Sequence, residues 1–147
     1  MATIETIYLG DLRTEATHVQ SGTKIITDAP VDNQGKGEAF SPTDLLSASL
    51  ASCMLTIMGI KARASNINID GTTCSITKIM AADPRRVAEI VINFKFPKEY
   101  SEKDQQSLER AALTCPVYYS VHEDLKKTVT FGWESAVAKA MADKEGF

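Results

Sequence analysis

The chain has 147 residues and a net charge of −3. That length suits a single domain over residues 1–147 with an apolar core, and no cluster of Lys or Arg offers itself to nucleic acid or another phosphate-rich partner. Three cysteines, an odd number, do not make a structural disulfide framework, so they read as thiols in a reducing, cytoplasmic setting.

The first residues, Met-Ala-Thr-Ile-Glu-Thr-Ile-Tyr, lack the basic and then apolar regions of a secretory signal. Thr3 to Leu9 and Leu12 to Val19 read as strands, Gln20-Ser21-Gly22 as a turn, and Thr23 to Thr27 as a strand that pairs back. Asp28 to Phe40 is rich in Pro, Gly, Asn and Asp and reads as a loop. Gly35 and Gly37 within it have no strand running into them, so they do not form a phosphate loop.

A long helix follows from Ser41. Ser41 suits the N-cap, Pro42 the first helical position, and Asp44 completes a capping box. From Leu45 to Ile60 there are sixteen residues without a charge, and apolar residues occupy every side. Such a helix is expected to be buried all round. Its uncharged stretch is too short and too rich in hydroxyl groups for a membrane span. Covering every side of it within one chain of short strands is difficult, which makes a second copy of the chain a plausible partner. Cys53 lies in its middle.

Beyond the helix, Asp70-Gly71 marks a turn and Thr72 to Met80 a strand, with the next turn at Asp83-Pro84. Arg86 to Phe96 alternates, placing Ala88, Ile90, Ile92, Phe94 and Phe96 on one face, so it reads as a half-buried strand antiparallel to its predecessor. Ser101 and Asp104 form a second capping box, opening a helix with Leu108, Ala111, Ala112 and Cys115 on one stripe. Pro116 ends that helix and starts another, expected to run to Lys126 with Val117, Val121 and Leu125 on one stripe. Val129, Phe131 and Trp133 alternate in a last strand, and Ser135 to Phe147 reads as a short helix. Antiparallel hairpins around a long helix, without strict βαβ alternation, define an α+β class.

The chemistry rests on thiols. His18 and His122 fall in no metal-ligand spacing with a cysteine, so neither zinc nor any other cofactor is expected. A thiol attacks as its thiolate, and Cys115 has a local aid: it precedes Pro116 and stands where the next helix begins. Cys53, inside an apolar helix, needs a cation from elsewhere in the chain. Local reasoning therefore selects Cys115 as the reactive thiol. Cys74, in a strand, fits core packing; Met54 and Met58, with Leu50 and Ile57 in the long helix, fit core filling and the lining of an apolar pocket for a bulky peroxide equally. His122 fits the surface, and Tyr118 and Tyr119 follow the Cys-Pro turn with no assigned role.

Ser41-Pro42-Thr43-Asp44-Leu45-Leu46, then Ala51-Ser52-Cys53, and about sixty residues later Cys115-Pro116-Val117, together resemble the OsmC/Ohr family of organic hydroperoxide reductases, over about Tyr8 to Trp133. The resemblance implies an intertwined homodimer in which antiparallel sheets surround buried central helices. It also implies a thiol-dependent peroxidase for organic hydroperoxides, among them those of fatty acids, used in stress defence without metal or bound cofactor. By resemblance Cys53 is the peroxidatic thiol and Cys115 resolves it as a disulfide, reversing the local choice. An external dithiol, a lipoyl group or another thiol, then restores both. The family places an arginine of the first hairpin at the peroxidatic sulfur, and Arg13 matches best. The hydroperoxide-reductase branch has a glutamate ten residues before the first cysteine, where this chain has Thr43. That departure fits the broader OsmC-like branch and leaves Glu38 or Asp44 as partners for Arg13. It also keeps a second class open: a non-catalytic dimer of this fold that binds a small apolar ligand or serves as a passive thiol module.

Overall fold

In the computed structural model, residues 1–134 are described; the helix expected from Ser135 to Phe147 lies outside them. Two compact units make up the chain, one from Met1 to Leu46 and one from Ser47 onward.

The first unit holds a three-stranded antiparallel meander, β1 (Ile4–Gly10), β2 (Arg13–His18) and β3 (Lys24–Asp28), in the order β1-β2-β3. Asp11 and Leu12 turn the first hairpin with φ of 54° and 63°, the positive values a two-residue hairpin turn requires. The β2–β3 register pairs Thr17 with Lys24 and Arg13 with Asp28. After β3 the chain makes a loop closed at its neck, where the Asp28 N–H donates to the Phe40 carbonyl at 3.1 Å. Gly35 is required there, since a Cβ would stand 1.8 Å from the Ala29 carbonyl oxygen.

Helix α1 (Pro42–Ala64) begins in this unit and continues into the second. Its capping box is complete: the Ser41 hydroxyl accepts from the Asp44 N–H at 3.0 Å and the Asp44 carboxylate from the Ser41 N–H at 2.9 Å. The helix runs 23 residues, so the length argument against a membrane span fails: by length and composition α1 could cross a bilayer. Packing decides the matter instead. Leu50, Ala51, Met54, Met58 and Ala62 form a buried stripe inside the hydrophobic cluster, and α1 is a core helix. The expectation of burial on all sides holds on that stripe only. Within one chain Leu46 and Ile60 stay exposed, Ile60 at 61%, because the cluster faces one side of the helix.

The second unit carries β4 (Thr73–Ala81), β5 (Arg86–Lys95) and β6 (Lys126–Gly132) in the order β4-β5-β6. β4 and β5 are antiparallel, as their short connection dictates, but β5 and β6 run parallel, Glu89 opposite Lys126 and Lys95 opposite Gly132. The expected all-antiparallel arrangement is corrected here. A parallel neighbour needs a long crossover, and α2 (Glu102–Ala112) and α3 (Pro116–Ser120) supply it. The alternation of β5 is realised, with Ile90, Ile92, Phe94 and the following Phe96 buried. α2 is capped by the Ser101 hydroxyl, which accepts from the Asp104 N–H, and buries Leu108 and Ala112. α3 is far shorter than expected. Val121 leaves the helix in extended geometry (φ −77°, ψ 156°), and a turn in which the Leu125 N–H donates to the His122 carbonyl at 3.0 Å brings Leu125 into the core. β6 consequently starts at Lys126, earlier than the alternation of Val129, Phe131 and Trp133 suggests. Phe96 stacks on Trp133 with ring centroids 3.8 Å apart, closing this end of the core.

Candidate active site

The second unit brings two of the candidate residues together. α1 presents Cys53 beside its buried stripe, half-buried and packed against the cluster that contains Cys115. The turn between α2 and α3 holds Cys115 completely buried, at 0% exposure. Proline at 116 dictates this placement: the preceding residue must be extended, and Cys115 is (φ −69°, ψ 144°), making it the N-cap of α3. Its sulfur accepts from the Tyr118 N–H at 3.2 Å. The Val117 N–H is also directed at it, and the Cys53 thiol lies within hydrogen-bonding reach.

Burial works against the local aid that the sequence gives Cys115. Burial pushes its pKa above the ordinary thiol value; the Tyr118 and Val117 amides act the other way and the neighbouring Cys53 adds to the rise. Two amide donors on a single helical turn do not outweigh the solvation lost by a fully buried sulfur. Cys115 is thus a fully buried sulfur beside Cys53.

In the same core cluster, Leu50, Met54 and Met58 are fully buried. Tyr118 is half-buried beneath Lys127, whose Nζ stands 4.6 Å from the ring centroid, while Tyr119 is exposed. His122 lies on the surface. Cys74 is half-buried in β4 opposite Phe94, with burial pushing its thiol up, a packing residue as expected. Among the described residues no group of three His, Cys, Asp or Glu side chains is placed to hold a metal.

Arg13 is held in the first unit by two carboxylates. Its Nε donates to Asp28 Oδ1 at 2.7 Å and its Nη2 to Asp28 Oδ2 at 2.9 Å, while Nη2 also reaches Glu38 Oε2 at 3.0 Å. Asp28 is 1% exposed and additionally accepts from the Glu38 N–H at 3.2 Å. The guanidinium holds the Asp28 carboxyl below its ordinary range against the opposing effect of burial. The two carboxylates likewise raise the Arg13 pKa, with Asp28 the larger influence. Of the two expected partners Glu38 is present, and Asp44 instead closes the capping box. Asp28, the main partner, is absent from the expectations, although the register leads to it. Pairing outward from the turn at 20–22, Thr17 opposite Lys24, sets Arg13 opposite Asp28, which ends β3 rather than opening the loop. Thr43 Oγ1 lies 3.1 Å from the Ser41 hydroxyl.

The sequence profile of the OsmC-like protein family matches residues 35–130, and the chain belongs to that family. A protein of Psychrobacter arcticus 273-4 named for an osmotic stress induced and detoxification response is 60% identical, over 89% of this chain and 96% of its own, with a TM-score of 0.87. An OsmC-like protein of Mycoplasma pneumoniae (20% identity, 90% of this chain and 96% of that one, TM-score 0.75) shares the fold. So does an organic hydroperoxide resistance protein of Legionella pneumophila (14% identity, 90% and 98%, TM-score 0.70). No curated protein matches the sequence.

Proposed function

We propose that this protein is a thiol-dependent peroxidase for organic hydroperoxides, with Cys53 as the attacking and Cys115 as the resolving thiol. The observation that carries the reading is the adjacency of a half-buried and a fully buried thiol within hydrogen-bonding reach. Membership of the OsmC-like family and the name of the Legionella relative support the substrate class.

The Cys53 thiolate attacks the distal peroxide oxygen. The O–O bond breaks, the alkoxide leaves and takes up a proton as the alcohol, and Cys53 becomes a sulfenic acid. The Cys115 sulfur attacks the sulfenic sulfur, forming the disulfide and releasing water. An external dithiol, lipoyl or other, exchanges with that disulfide and carries the two electrons in. Arg13 is the proposed cation for the Cys53 thiolate, a role that rests on the family resemblance. It suits a guanidinium, which is always charged and directional. The proposed assembly is a homodimer and the proposed setting the cytoplasm. The exposed apolar residues Ile4, Ile7, Leu9 and Ile60 support a second copy as their cover.

The test is consumption of tert-butyl hydroperoxide in the presence of dihydrolipoamide. Wild-type protein and Cys74→Ser should consume it at similar rates, and Cys53→Ser should not. Equal activity in Cys53→Ser would overturn the assignment, and inactivity of the wild type would favour the ligand-binding dimer.

A further inference from the structure

Two carboxylates grip Arg13, and they do so unequally. Asp28 takes one whole edge of the guanidinium, with Nε donating to Oδ1 at 2.7 Å and Nη2 to Oδ2 at 2.9 Å. In this bidentate form a carboxylate fixes direction as well as distance. Asp28 stands directly opposite Arg13 in the β2–β3 ladder, so the two side chains share one face of the sheet. Its own N–H is held by the Phe40 carbonyl at 3.1 Å, and its carboxylate also receives the Glu38 N–H at 3.2 Å. The Asp28 side chain is 1% exposed. Glu38 makes a single contact, to Nη2 at 3.0 Å, from a side chain that is 66% exposed; exposed pairs of that kind hold a geometry weakly.

This grip leaves one amino group over. A guanidinium has five N–H groups. Asp28 uses the one on Nε and one on Nη2, and Glu38 uses the second on Nη2. Among the described residues nothing accepts from Nη1, and the Arg13 side chain is 30% exposed. A further acceptor therefore meets Arg13 through the two N–H groups of Nη1. One guanidinium against two carboxylates also leaves the cluster with an excess of negative charge, so Arg13 serves an anion by directed hydrogen bonds rather than by a field felt at a distance.

We infer that Asp28 is the positioning residue of Arg13, holding it by the Nε–Nη2 edge so that Nη1 is the group that serves the Cys53 thiolate and the peroxide oxygen. This rests on the proposed role of Arg13 as the cation for Cys53; it adds the residue that orients the guanidinium and the nitrogen that acts. Charge and position make opposite demands on Asp28. Acting through its charge alone, the carboxylate would oppose a thiolate, and its removal would favour one. Acting by holding Arg13, it supports the thiolate, and its removal would disfavour one.

Two measurements test this. The first reads the grip itself, as exchange of the Arg13 Nε–H with water in the side-chain nitrogen spectrum, assigned by its absence from Arg13→Lys. In the wild type it should exchange about tenfold more slowly than the Nε–H of exposed Arg63, assigned likewise from Arg63→Lys. That protection should persist in Glu38→Gln and be lost in Asp28→Asn. The second is the pH dependence of Cys53 alkylation by iodoacetamide, mapped by mass. Asp28→Asn should move the curve to higher pH and slow alkylation about tenfold at neutral pH, in the direction of Arg13→Ala, with a smaller effect from Glu38→Gln. Equal exchange at Arg13 and Arg63 in the wild type, or loss of protection in Glu38→Gln, would overturn the inference even if Asp28→Asn did not fold. So would a curve for Asp28→Asn that moves to lower pH or does not move. An unchanged curve in Arg13→Ala would overturn the role of Arg13 on which this rests, while the exchange of its Nε–H would still show whether Asp28 anchors it.

Discussion

Cys53 and Cys115 differ in burial, and their variants should differ in kind. Cys53→Ser is expected to abolish peroxide consumption, whereas Cys115→Ser should complete one turnover and stop at the sulfenic acid. That acid then gains oxygen to the irreversible sulfinic form, visible by mass. If Cys115→Ser lost the first turnover while Cys53→Ser kept it, the roles would be reversed. Arg13→Ala should slow alkylation of Cys53 at neutral pH, and Arg63→Ala should not; an unchanged pH–rate curve in Arg13→Ala would assign the cation elsewhere. Asp28 makes a separate prediction about stability. Its carboxyl titrates lower in the folded chain than in the unfolded one, so its contribution is complete above the ordinary range, about 3.9, and fades as pH falls through the folded value. The urea midpoint of the wild type should therefore drop on acidification below about pH 4 more than that of Asp28→Asn, which is weaker from the outset. Parallel curves would remove Asp28 from the account. The Arg13–Asp28 pair was within reach of the sequence because strand register follows from the turn. It was hidden by ending the strand one residue too early.

At the scale of elements, the capping boxes of α1 and α2 and the alternation of β5 were legible because each is a local pattern with a local cause. The end of α3 and the parallel pairing of β6 were not. Val117, Val121 and Leu125 keep a helical spacing even though Val121 is extended and Leu125 reaches the core through a turn. Whether a strand joins a sheet edge parallel or antiparallel is set by the crossover, which its own residues do not encode. α1 was read correctly as apolar on all sides, but one chain buries only one stripe of it. Met54, at 0% exposure, should cost about 2–5 kcal/mol on replacement by Ala. Ile60→Ala, on the uncovered side, should change the stability of an isolated chain by no more than about 0.5 kcal/mol. A larger loss for Ile60→Ala that depends on protein concentration would show that another chain covers that side. Equal losses at any concentration would place Ile60 in the core of its own chain.

At the scale of the whole molecule, the two units differ in how well they bury their own apolar surface. The second has a contiguous core of α1, β5, α2 and the Cys115 turn, while the first leaves Ile4, Ile7, Tyr8 and Leu9 of β1 exposed. A second copy of the chain is the proposed cover for these residues. Light scattering at micromolar concentration should return twice the chain mass; a monomer would overturn the homodimer. The central claim is chemical and is tested most directly by counting free thiols before and after one equivalent of an organic hydroperoxide. The account predicts loss of two thiols per chain, leaving Cys74 free and Cys53 joined to Cys115 within one chain by peptide mapping. Retention of all three thiols, or a disulfide that includes Cys74, would contradict it.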